Sequence, residues 1–105
     1  MILLYVVFPN EKEAENVARM SLEKKLAACV NILPPVMSFY RWPDEKGVET
    51  ITRSEEVIAL FKTMATHSKA LKKLITENHS YECPALLSFP CNPNEAFGKW
   101  LYTQL

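Results

Sequence analysis

Glycine is scarce in this chain of 105 residues: there are two, against seven prolines. So few glycines exclude a glycine-rich phosphate-binding loop and argue against a flexible linker, and residues 1–105 read as a single domain. That length supports one hydrophobic core without staples, but not a core plus an independent second unit. An excess of charge is also missing. Twelve basic and twelve acidic residues cancel, and the pI near 6.7 leaves no electrostatic footprint for nucleic acid or an anionic membrane. The apolar opening MILLYVVF is far shorter than the ~18 residues that span a bilayer, and neither a basic segment nor a small-residue cleavage site flanks it. It reads as a first strand, and the expected compartment is the cytoplasm. There Cys29, Cys83 and Cys91 should stay reduced, and an odd count fits no closed disulfide framework. No Ser/His/Asp constellation and no H-E-x-x-H occurs, and Arg19, Arg41 and Arg53 lie on three different elements, so the chain is not read as an enzyme.

The segments that are present alternate in period. Ile2 to Phe8 is an unbroken apolar run, as a strand inside a sheet requires. Pro9 ends it, Asn10 stands where a helix cap belongs with Glu13 three residues on, and Ala14, Val17, Ala18, Ser21 and Leu22 recur at helical spacing. This predicts a helix from about Glu11 to Lys25, with Lys24 and Lys25 in its last turn facing the negative end of the dipole. Ala70, Leu71, Leu74 and Ile75 mark a second helix starting near Thr66 or Ser68 and stopping around Asn78. A short strand, Ala85 to Phe89, follows between prolines. Asn92 as cap, Pro93 at the first helical position and Glu95 predict a terminal helix with Ala96, Phe97, Trp100 and Leu101 facing inward.

Between the first two helices lies the stretch that organises the chain, Ala27 to Thr63. It is rich in β-branched and aromatic residues on both sides of a break at Pro43 to Gly47, the pattern of a long two-stranded ribbon. Each arm of ~14 residues, at ~3.3 Å per residue, reaches well past an ordinary strand of ~5 to 6 residues. Ser38, Tyr40 and Trp42 project to one face and Met37, Phe39 and Arg41 to the other. An apolar ribbon exposed on both faces is an aggregation hazard, so the overhang is expected to be buried against other copies of the chain; the alternative is a ribbon curled over its own helices, which offer little area to cover it. The element order gives an α+β fold, a ferredoxin-like βαββαβ sandwich with a C-terminal helix, and with right-handed crossovers that keep the two crossover helices on one face.

Four residues stand out as candidates for chemistry. His79 follows the second helix and lies four positions before Cys83, so an imidazole and a thiolate could meet one soft divalent ion; the alternative is a hydrogen-bonded loop histidine. Lys62 is a lone cation at the end of an apolar run, for which an internal carboxylate is the expected partner. Tyr40 and Trp42 could stack on a ligand or pack at an interface. Glu49, Glu55 and Glu56 are read as solvated or as paired across subunits.

Taken together, ACVNILP, SFYRW, the strand ending in KT, HSY followed by CPAL, and KWL near the end resemble the CutA divalent-cation-tolerance proteins over nearly the whole chain. The resemblance implies a tight homotrimer, similar in architecture to the PII signalling proteins, with the long ribbons exchanged about a three-fold axis. It also implies tolerance to copper and other divalent metals, with His79 as the metal ligand that carries over and Tyr40, Trp42 and Lys62 as cleft residues. The chain departs from the family pattern in several places. Asn78-His79-Ser80-Tyr81 lacks the proline of the H-P-Y motif, Ala85 stands where a carboxylate follows proline, and PDEKG lengthens the ribbon tip. Two rival functions suit the same sandwich: a small acylphosphatase-type hydrolase, for which FPNEKE supplies acidic residues instead of an arginine cradle, and a structural trimer acting through a protein partner.

Overall fold

The run Ile2–Phe8 forms β1. It is followed by α1 (Glu11–Glu23), β2 (Cys29–Ile32), β3 (Val36–Pro43), β4 (Glu49–Thr63), α2 (Ala65–Glu77), β5 (Leu86–Pro90) and α3 (Glu95–Thr103). The computed structural model describes residues 1–105. The sheet runs β2-β4-β1-β5, every neighbouring pair is antiparallel, and β3 continues along β4 beyond β2. This is the expected ferredoxin-like sandwich, with the first arm of the ribbon split in two. No helix is long and apolar enough to cross a membrane.

Alternation along the central strands builds the core. Leu4, Val6 and Phe8 of β1 and Val57, Ala59 and Phe61 of β4 are buried on one face, under Ala14 and Val17 of α1 and Leu71 and Ile75 of α2. Each large side chain in that set contributes ~1.5–3 kcal/mol of transfer free energy. The opposite face receives Lys62, whose ammonium lies 5.5 Å from the centre of the Phe97 ring. The terminal helix therefore packs on the side of the sheet away from α1 and α2.

Helix ends differ from the sequence expectation by one or two residues, for local reasons. Asn10 caps α1 as expected, its side chain accepting the Glu13 amide at 2.8 Å. At the other end Lys24 is the cap and Lys25 adopts φ +55°, while the amides of Lys25 and Leu26 close on the carbonyls of Leu22 and Ser21. That is a Schellman ending, so the two lysines lie beyond the last turn instead of inside it. The terminal helix starts at Glu95 with Asn94, not Asn92, as its cap residue, because the Gly98 amide closes the first turn on the Asn94 carbonyl. Of its four expected inward residues only Leu101 is buried, and Trp100 is 43% exposed.

The ribbon carries the feature that matters most for the site. Ile32 pairs with Ala59 and Val36 pairs with Glu56, so three residues of one arm, Leu33 to Pro35, face two of the other, Val57 and Ile58. The extra residue is a β-bulge, favoured here because Pro34 and Pro35 have no amide to give to the ladder. In β2 the even-numbered residues Val30 and Ile32 stand opposite core-facing Phe61 and Ala59. After the bulge the even-numbered residues Ser38, Tyr40 and Trp42 stand opposite Ser54, Thr52 and Thr50 on the other face. One inserted residue thus turns Tyr40 and Trp42 away from the helices.

At the far end the ribbon turns through Asp44 to Val48. The Asp44 carboxylate accepts the amides of Lys46 and Val48, each at 2.9 Å, and Gly47 takes φ +78°. Fifteen residues of β4 at ~3.4 Å each span ~50 Å, which matches the 51 Å long axis of the subunit. Most of the distal half is uncovered, with Phe39 64% and Ile51 75% exposed.

Candidate functional site

Where the base of the ribbon meets the loop after α2, a cleft of about 580 Å³ opens. The bulge brings Tyr40 and Trp42 to it from β3, β4 brings Glu56, and the loop brings Tyr81, Glu82 and Cys83. Its volume is in the range of small-molecule sites, and its walls combine aromatic rings with a few polar groups, as such sites do.

Glu56 is the residue that the sequence reading misplaced. It is only 7% exposed, and its Oε2 accepts the Tyr81 hydroxyl at 2.6 Å. Burial first, and then this hydrogen bond and the Glu56 charge, push the Tyr81 phenol well above its ordinary range. Tyr81 therefore remains a hydrogen-bond donor at any ordinary pH. The available signal was an acidic residue directly bordering the buried run Val57–Phe61; neither it nor the Leu-Pro-Pro bulge shows up as a motif.

His79 anchors the loop from below. Its side chain has no exposed surface, and its ring stacks on Phe8 with centroids 4.8 Å apart and planes 14° from parallel. Nε2 donates to the Val7 carbonyl at 2.7 Å, and Nδ1 accepts the Tyr81 amide at 3.0 Å. The Glu13 carboxylate is 3.7 Å from Nδ1 and accepts the Ser80 amide at 3.4 Å. In this arrangement both ring nitrogens are used. A cation at His79 would have to displace the Tyr81 amide and reach a ring enclosed on all sides. Cys83 is exposed and unpaired, and nowhere in the chain do three or more His, Cys, Asp or Glu side chains come together with spacing for a metal. The donors of one subunit, as they stand, do not fit a resident divalent ion.

Lys62 lies apart from the cleft. Six residues along β4 separate it from Glu56, ~20 Å at strand rise. Its ammonium finds the Phe97 ring instead of the expected internal carboxylate, a placement that a lysine at a strand end reaches by extending its stem toward solvent. The structure therefore unites Tyr40 and Trp42 with Glu56 and Tyr81, sets His79 beneath them as a buttress, and leaves Lys62 outside.

A family profile described as CutA1 divalent ion tolerance protein matches residues 2–104. Among characterised relatives, the mouse protein described as Protein CutA is 35% identical over 99 residues, 93% of this chain and 53% of its own. The chain thus spans about half the length of that relative. Divalent-cation tolerance protein CutA of Yersinia pestis (strain Pestoides F) is 34% identical over 105 residues, 99% of this chain and 84% of its own. The solved structure described as the periplasmic divalent cation tolerance protein CutA from Archaeoglobus fulgidus superposes with a TM-score of 0.88 at 32% identity, covering 99% of this chain and 98% of that one.

Proposed function

Because the chain belongs to the CutA1 divalent ion tolerance family, we propose that it works as a homotrimer whose subunits cover one another's ribbons. In this reading a divalent cation of the copper or zinc type, or a small ligand, is held at clefts between the subunits. The chain acts as a binding and response module, not as an enzyme. The observation that carries the assembly is the ribbon itself, on which Met37, Phe39, Trp42, Val48 and Ile51 are all more than half exposed in the isolated subunit. A band of that kind on a ~50 Å strand pair is a surface built to be buried. The open sheet face adds Leu87 and Phe89 from β5 and Trp100 from α3. Three unpaired cysteines suit a reducing compartment, and we assign the chain to the cytoplasm on that ground.

Light scattering at micromolar concentration tests the assembly. A mass of three chains is expected, and Phe39→Ser combined with Ile51→Ser should shift it to smaller or aggregated species. A well-folded, non-aggregating wild-type monomer overturns the reading. For the cation, copper and zinc titrations of wild type and His79→Ala are the measurement. Saturable binding weakened by the variant makes His79 a ligand despite its engaged nitrogens, and undiminished binding moves the cation to another donor set.

A further inference from the structure

We propose that the cleft at the ribbon base takes an organic cation, a primary ammonium or guanidinium group on a short aliphatic stem. This rests on the ligand-cleft reading above and narrows it to a class of ligand. The polar groups of the walls favour that class. Glu56 and Glu82 supply two carboxylates, and Tyr40, Trp42 and Tyr81 supply three aromatic rings. The Tyr81 hydroxyl, still protonated, directs its one O–H at Glu56, so its oxygen faces any further partner as an acceptor only. Tyr40 shares its hydroxyl with Ser54 at 3.1 Å. Arg41 also lines the cleft, standing opposite Ile51 on the alternate side of β3 from Tyr40 and Trp42, and with its charge counted the two carboxylates still leave the lining net negative.

The cavity does contain donors, on Ser38, Arg41 and Trp42, but two carboxylates, a phenolic acceptor and several ring faces give it a net acidic, aromatic character. A cation that brings its own N–H groups satisfies the carboxylates by charge-assisted bonds and the rings by cation–π attraction. A bare divalent ion could take the oxygens but has no aliphatic stem to bury against the aromatic walls, whereas an anion meets repulsion from the carboxylates and the ring faces. The volume of about 580 Å³ leaves room for the stem along Trp42 and Val7.

The test is calorimetric titration of the full chain with butanediamine and with butanediol, near neutral pH and at fixed ionic strength, with copper as a separate arm on the same samples. Saturable binding of the diamine and none of the diol is expected. Glu56→Gln should weaken the diamine at least about tenfold, which corresponds to ~1.4 kcal/mol. Glu82→Gln, on the exposed loop, carries the same test without burdening the fold, and about threefold weakening is expected there. Equal binding of diol and diamine, no diamine binding, or diamine affinity unchanged in both variants overturns the inference. Copper bound without diamine overturns it while leaving the divalent-cation function intact, and a trimer mass by light scattering reports on the assembly independently of either.

Discussion

Removing one hydroxyl tests whether the loop and the ribbon base are held together as described. In Tyr81→Phe the ring stays against His79, with centroids 5.0 Å apart in the wild type, and only the donor to Glu56 is lost. A hydrogen bond to a charged group contributes ~1.5–3 kcal/mol. The Glu56 carboxylate borders an open cleft and can recruit water, so the lower part of that range applies, ~1.5–2 kcal/mol. At ~4–8 °C per kcal/mol for a domain of this size, the melting temperature should fall by roughly 6–15 °C at matched protein concentration. The variant should also change the alkaline limb of stability. A phenol whose pKa is raised by folding binds its proton more tightly in the folded state. Its contribution is therefore complete below the ordinary tyrosine value of 10.0 and is lost as pH climbs through the folded value. The gap between wild type and Tyr81→Phe should accordingly narrow above about pH 10. The assay is thermal or urea unfolding of wild type, Tyr81→Phe, Glu56→Ala and the double variant, alanine being chosen because glutamine would keep an acceptor. If Tyr81→Phe costs as much in the Glu56→Ala background as in the wild type, the hydrogen bond is not the source and the reasoning fails.

Thr63 is fully buried and its hydroxyl donates to the Leu26 carbonyl at 2.7 Å. Thr63→Val should lose ~1–2 kcal/mol in urea unfolding despite its equal size, and a neutral result would mean that water replaces the bond. Lys25→Gly should stabilise the chain by ~0.5–1 kcal/mol, since only glycine occupies φ +55° without side-chain strain; a lower melting temperature would contradict that account of the helix end. Asp44→Ala removes the acceptor of two tip amides, and faster amide exchange confined to Lys46 and Val48 is the expected signature, with unchanged exchange refuting it.

Much of the fold was legible in the chain because it is written in local pattern. The unbroken run of β1, the Asn10 cap, the buried stripe Leu71, Leu74 and Ile75, and the turn residues Asp44 and Gly47 each state their structure within a few neighbouring positions. The length of the ribbon was likewise readable, and with it the surplus of strand that a single subunit leaves bare. The ends of α1 and α3 were less so, because alternative cap residues lie within two positions of each other and only hydrogen bonding selects between them.

The cleft was half legible. Tyr40 and Trp42 announced themselves as aromatic residues sharing a face, whereas Glu56 looked like one of several acids solvated or paired across subunits, and His79 left two readings open, a metal ligand or the hydrogen-bonded loop histidine whose bonds the structure shows. Their roles come from contacts across 25 and 72 residues of chain, which no local pattern encodes. What composition and periodicity determined alone is a single sandwich with an overlong apolar hairpin. Tertiary structure decided that one surplus residue at the double proline turns the aromatic pair toward a buried carboxylate, and that the histidine spends both nitrogens holding the loop above it. The physical reason is that register and side-chain saturation belong to pairs of distant segments, and they exist only once those segments meet.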